Sequence, residues 1–166
     1  MELEKIIQAA SDRGISKVDV LSAVRRAYAT LIREGKLDDL KALEAATKIK
    51  PELSKEVVQE GYETLIREGQ LDDFKVLKAA TKIKPELSGE VVREGYATLI
   101  RNGWFYDLKV LEAVTGIKPP EEVVQERYVT LIKERWFDDL NALEAATRIK
   151  PSEDVYKLFV DIFAKQ

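Results

Sequence analysis

The chain has no cysteine and no histidine among its 166 residues. The first absence removes disulfides, thiolate nucleophiles and Cys-ligated metals. The two together remove zinc sites and the Ser-His and Cys-His arrangements common in nucleophilic catalysis. Methionine occurs only at position 1, and asparagine only at Asn102 and Asn141. Few labile side chains beside 34% charged residues is a thermophile-like composition, and a designed or consensus-derived chain has the same look. Neither charge sign is in large excess: 27 Lys and Arg stand against 30 Asp and Glu, a net charge of −3, which offers no bulk attraction to phosphate backbones or anionic lipid. No apolar run is long enough to span a bilayer, and Glu2, Glu4, Lys5, Asp12 and Arg13 near the start are unlike a signal peptide. The expectation is a cytoplasmic protein with no membrane association.

What is present is a repeat. Thr-Leu-Ile begins at Thr30, Thr64, Thr98 and Thr130, and the tyrosines ahead of it, Tyr28, Tyr62, Tyr96 and Tyr128, are spaced by 34, 34 and 32 residues. A period of this size marks a repeat architecture. In the second block Ser54 precedes Val57, Val58, Gly61, Tyr62, Leu65 and Ile66, whose three- and four-residue spacing predicts one face of a helix, A. Ser54 is a natural N-cap, with Ser16 and Ser88 as counterparts. Gly35, Gly69 and Gly103 stand where a left-handed residue ends that helix. Asp72 and Asp73 open a second helix, B, with apolar face Leu71, Phe74, Leu77 and Ala80; Lys82, Lys84 and then Pro85 are expected to close it.

A single hairpin of this kind leaves an apolar side in water, so each block needs its neighbours. The expected fold is all-α: a right-handed α-solenoid of about ten helices in a single domain. Its four helix-turn-helix repeats would be residues 16–50, 51–84, 85–118 and 119–150, with caps at 1–15 and 151–166. Leu3, Ile6, Ile7 and Ala10 would face inward from the first cap, and Val155, Leu158, Phe159, Ile162 and Phe163 from the second. Gly61 and Gly95 sit mid-helix, where glycine costs roughly 1 kcal/mol relative to alanine, and this predicts close helix approach. Arg127 takes that place in the fourth block and Arg135 replaces the turn glycine. Both departures suit a repeat whose outer neighbour is only a cap.

The 34-residue period, the tyrosine and small residues in helix A, glycine at the A–B turn and proline at the boundary resemble tetratricopeptide repeats. Tyr-Ala-Thr-Leu-Ile (96–100) and Gly-Ile-Lys-Pro (116–119) are similar to pentatricopeptide repeats. The resemblance is at the level of the helical-hairpin class, over residues 16–150. It implies recognition along a groove lined by helix A, of peptides in the first family and single-stranded RNA in the second. The RNA family places base-selecting Asn, Ser, Thr or Asp at two positions per repeat. Here those positions hold Ala29, Glu63, Ala97 and Val129, then Glu52, Glu86, Pro120 and Ser152, which disfavours RNA.

Aromatic residues concentrate where blocks three and four depart from the pattern. Trp104 and Trp136 replace Lys36 and Gln70, and Tyr106 replaces Asp72; in register they would form an exposed strip of the kind that anchors interfaces, unless each indole folds over its own turn. Phe105 and Phe137 replace leucines and read as core. Arg33, Arg67, Arg101 and Lys133 form a cationic ladder at the ends of the A helices, suited to the helix dipole and to acids at the start of helix B. The Asp pairs 38–39, 72–73 and 138–139 recur at helix starts, so dipole stabilisation explains them better than a metal or an acid–base pair. No catalytic, metal or cofactor site is expected. The expected function is a non-catalytic scaffold for a protein or peptide, using Trp104, Tyr106, Trp136, Arg101, Ala97, Val129 and Lys133. The aromatic strip also offers a homodimer contact, and a designed or selected repeat-protein binder would share every one of these features.

Overall fold

The computed structural model describes residues 3–164, which form ten α-helices and, among the described residues, no strand. In order they are α1 (Leu3–Ser11), α2 (Lys17–Arg33), α3 (Leu37–Thr47), α4 (Lys55–Arg67), α5 (Leu71–Thr81), α6 (Gly89–Arg101), α7 (Phe105–Thr115), α8 (Glu121–Glu134), α9 (Phe137–Thr147) and α10 (Glu153–Ala164). The A helices are α2, α4, α6 and α8; the B helices are α3, α5, α7 and α9. The chain divides into two compact units, Met1–Leu65 with Asp72–Glu86, and Ile66–Leu71 with Leu87–Gln166. No helix among the described residues is long and apolar enough to cross a membrane.

Local chemistry sets the helix starts. The hydroxyls of Ser16, Ser54 and Ser88 each accept the backbone N–H three residues on, at 3.2 Å, satisfying one donor the helix leaves free. Helices α3, α7 and α9 start behind Lys36, Trp104 and Trp136, which give no side-chain cap. Their acidic first turns, with Asp38, Asp39, Asp107, Asp138 and Asp139, stabilise the exposed amides instead.

The helix ends differ from the sequence-based expectation in two respects. Lys48, Lys82 and Arg148 take left-handed φ of 58°, 56° and 61°, with Gly116 at 72° in the same register. Each donates its N–H to the carbonyl four residues back. These residues end the B helices, and Pro51, Pro85, Pro119 and Pro151 lie three positions beyond the stop. At the A–B turns Gly35, Gly69 and Gly103 have φ of 66°, 71° and 71°, and Arg135 adopts 62°. The fourth repeat therefore keeps the left-handed turn and places an L side chain in it, at a cost on the order of 1 kcal/mol.

One contact closes every hairpin. The hydroxyls of Tyr28, Tyr62, Tyr96 and Tyr128 donate to the carbonyls of Ile49, Ile83, Ile117 and Ile149 at 2.6, 2.7, 2.6 and 2.8 Å. The segment that offers the carbonyl is itself fixed by a threonine. Thr47, Thr81, Thr115 and Thr147 donate back to the fourth preceding carbonyl and accept the isoleucine N–H. All four tyrosines are buried, as are Val58, Leu65, Leu99, Leu108, Leu111 and Leu131 around them.

In the first unit α1 packs on α2 and α2 on α3. Helix α4 meets α2 at Gly61, where an added Cβ would lie 2.7 Å from the Ile32 carbonyl oxygen and 2.8 Å from its Cγ2. Thr64 Oγ1 donates to the Arg33 carbonyl beside it at 2.7 Å, and the Tyr62 and Phe74 rings touch at 5.0 Å between centroids. Ile6, Ile7 and Ala10 of α1 are half-buried; the Leu3 side chain falls outside the described set. In the second unit α6 packs with α7 and α8 with α9, while α8 also lies against α6 and α10, and α7 against α9. Gly95 repeats the close approach, 2.7 Å from the Ile66 carbonyl oxygen. Val155 of α10 is buried, but Phe159 and Phe137 remain 38% and 37% exposed and join Phe163 in an aromatic cluster. Phe137 is thus a lid on the end of the unit and not core, because the last helix covers only part of it.

Two expected outcomes follow from this packing. Gly61→Ala should destabilise the protein by about 1–2 kcal/mol in urea unfolding, since overpacking against the Ile32 backbone outweighs the gain of up to about 1 kcal/mol in helix propensity; a net stabilisation would contradict the contact. Burial pushes the Tyr128 phenol up to about 12, with Glu144 and Tyr156 adding to it, and raises Tyr96 as well, with a further contribution from Glu112. The folded state thus holds the neutral phenol against an unfolded value near 10. This stabilisation is complete below pH ~10 and declines as pH climbs toward 12. Circular dichroism against pH should show unfolding in that alkaline window, moved upward in Tyr128→Phe.

Candidate functional site

The second unit carries all seven residues singled out in the sequence. Trp104 and Trp136 occupy the residue before α7 and α9, each held by a backbone N–H to Leu99 or Leu131 at 2.9 Å. They are 46% and 52% exposed, and Tyr106 is 82% exposed. The two indoles rest on different supports. Trp104 lies over the preceding A–B turn, its Cζ3 3.4 Å from where a Cβ on Gly69 would stand. Trp136 has the Arg127 guanidinium over its ring, 5.5 Å from the centroid. Each indole therefore covers a neighbour with one face and leaves about half its surface to solvent. No ring contact links Trp104, Tyr106 and Trp136 among the described residues.

Two rungs of the cationic ladder pair with glutamates of the next A helix: Arg33 and Arg67 bind Glu60 and Glu94 through Nε. The third rung by register would be Arg101 with Glu126, and no ion pair forms there among the described residues. At that height Arg127 stands in the place of Gly61 and Gly95. Those glycines face the preceding A helix, so Arg127 lies toward α6 and not toward the terminal cap. A cleft of about 280 Å³ lies between α6 and α8, lined by Ala97, Ile100, Arg101, Val123, Glu126, Arg127 and Thr130. The Nε of Arg127 is buried there without an acceptor, an arrangement that favours whatever brings one.

Ala97 and Arg101 thus meet on one cleft, and Arg127 joins that cleft to Trp136. Val129 and Lys133 belong to α8 but do not line it; Val129 is half-buried and Lys133 exposed. Sequence reasoning passed over Arg127 and Glu126 as functional residues, although the loss of a recurrent helix glycine was the signal. Among the described residues no group of three or more Asp or Glu stands close enough to hold a metal ion. Comparison of the chain with protein-family models, with curated proteins and with solved structures gives no match, so the surface is read from its own geometry.

The two indole environments are separable by fluorescence. With Trp104 replaced by Phe, the ratio of iodide to caesium quenching of Trp136 should exceed that of free N-acetyltryptophanamide, because Arg127 gathers anions beside the ring. Arg127→Gln should remove that excess. A ratio equal to that of the free indole in the parent would place the guanidinium elsewhere.

Proposed function

We propose that this chain is a non-catalytic scaffold that binds a protein or peptide, built as a right-handed α-solenoid of four tetratricopeptide- or pentatricopeptide-like repeats. Support for the repeat reading is the recurrence, hairpin by hairpin, of the tyrosine–carbonyl bond and of the glycine contact between successive A helices at Gly61 and Gly95. The observation that carries the binding reading is where the pattern is broken at the surface. Trp104, Tyr106 and Trp136 expose large aromatic area where earlier repeats have Lys36, Gln70 and Asp72. Half-covered indoles, one of them stacked under an arginine whose Nε lacks an acceptor, are the residue types that anchor interfaces.

The partner surface is the side of the second unit that bears Trp104, Tyr106 and Trp136, with Ala97, Arg101, Val129 and Lys133 on the neighbouring helices. Selection of binders from a displayed random-peptide library should yield ligands for this face. The double variant Trp104→Ala, Trp136→Ala should weaken them by about 30-fold or more, since each anchor is worth on the order of 1–2 kcal/mol. Unchanged affinity for every selected ligand would sink the assignment. Retention of single-stranded RNA at low salt that fades steeply as salt rises would turn the reading toward nucleic acid.

A further inference from the structure

Successive A helices meet through a recurring joint, and where α6 meets α8 all three of its parts are missing. Between α2 and α4, Gly61 sits against the Ile32 carbonyl, Arg33 pairs with Glu60, and Thr64 donates to the Arg33 carbonyl at 2.7 Å. Gly95 against Ile66 and Arg67 with Glu94 repeat the first two parts. Between α6 and α8 the glycine is Arg127. Among the described residues Arg101 makes no ion pair with Glu126, and Thr130 donates only within its own helix, to the Glu126 carbonyl at 3.1 Å. The two helices are within reach of each other all the same, since Arg93 of α6 pairs with Glu122 of α8 nearer their starts.

The cleft at this joint has Arg101, Arg127 and Glu126 in its walls, beside apolar Ala97, Ile100 and Val123. Two cations against one carboxylate leave it a single positive charge in excess. The Nε of Arg127 is, among the described residues, the one buried side-chain nitrogen or oxygen without a hydrogen-bond partner, and a buried donor left in that state is costly. Stacking on Trp136 occupies the face of the guanidinium. Its edge, where the N–H groups lie, remains able to donate.

We propose that this cleft seats the side-chain carboxylate of a glutamate in the peptide partner, held by Arg101 and the Nε edge of Arg127. The ligand class follows from what the same rung takes elsewhere in the chain. Arg33 and Arg67, the register counterparts of Arg101, each bind a glutamate through Nε. A monoanion matches the single excess positive charge, and the planar carboxylate matches guanidinium donors; a phosphate dianion would overcharge a site that already contains Glu126. Ala97, Ile100 and Val123 supply apolar wall for the methylene stem. At about 280 Å³ the cleft is smaller than most small-molecule pockets, and it suits one side chain. The proposal rests on the peptide-binding reading above and adds the acidic residue that the ligand carries.

The test needs no selected peptide. Into the full chain, at neutral pH and constant ionic strength, are titrated N-acetylglutamate α-amide, which has only a side-chain carboxylate, N-acetylglutamine, which has only a chain-end carboxylate, and N-acetylglutamine amide, which has neither. The reporter is the Arg127 Nε–H resonance in a proton–nitrogen NMR spectrum, assigned by its loss in Arg127→Gln. The first probe should move it saturably, with a millimolar dissociation constant, and the neutral probe should leave it in place. Arg101→Gln should weaken binding of the first probe by about three- to ten-fold. The proposal is overturned by no saturable shift with the first probe, by the same shift with the neutral one, or by an equal or stronger response to the chain-end acid. Binding that Arg101→Gln leaves unchanged would overturn it too. None of these outcomes touches the peptide-binding reading, which fails instead when the Trp104→Ala, Trp136→Ala variant keeps its affinity for every selected ligand.

Discussion

Each hairpin hangs on a tyrosine hydroxyl that reaches across to the carbonyl of an isoleucine two residues past the end of helix B. The bond is part-buried, where an unpaired carbonyl is costly, and the phenol crosses the hairpin's own core to pair it. Helix separation, the burial of the ring and the path of the chain out of helix B are thereby set together. Threonine makes the carbonyl available in the right place by tying its own turn down. The raised phenol pKa values of Tyr62, Tyr96 and Tyr128 are the electrostatic counterpart of this arrangement, since burial favours the neutral donor.

Once the hairpins are fixed, the contacts between successive A helices follow from the absence of a side chain. Gly61 and Gly95 let one helix rest on the last-turn carbonyl of its predecessor, and Arg33–Glu60 and Arg67–Glu94 close the solvent side of the same contacts. These exposed pairs add little stability individually. Their value here is as a ruler, because the rung that fails to form, Arg101 with Glu126, falls at the one A-helix contact where arginine stands in the glycine position. A departure from the repeat pattern thus sits next to the exposed indole it stacks on, and local departure from a foldable pattern is where a binding surface is to be sought.

The helices and their serine caps were legible because they depend on residues within one turn of each other. Lysines and a proline mark the end of helix B in the sequence, but the stop itself is a left-handed backbone at Lys48, Lys82 and Arg148, residue types that do not advertise it. The glutamate partners of Arg33 and Arg67 are hidden in the sequence for a related reason. The glutamates lie 27 residues away, a distance only the tertiary fold makes short. Tyr, Thr and Ile recurred at fixed separations in every block, yet periodicity alone does not say which of them touch. The exposure of the tryptophans was undecided in the sequence because it depends on what lies beneath, Gly69 for one and Arg127 for the other.

The tyrosine and its isoleucine are always 21 positions apart, whereas the step from that isoleucine to the next tyrosine is 13 residues from Ile49 and Ile83 but 11 from Ile117. Length variation has been absorbed entirely by the connector, outside the bonded loop. A hairpin that is closed within itself can be duplicated, deleted or exchanged between genes without rewiring what lies inside it. The chain is therefore organised so that evolution, or an engineer, can edit it in whole modules and tune each joint by a residue or two.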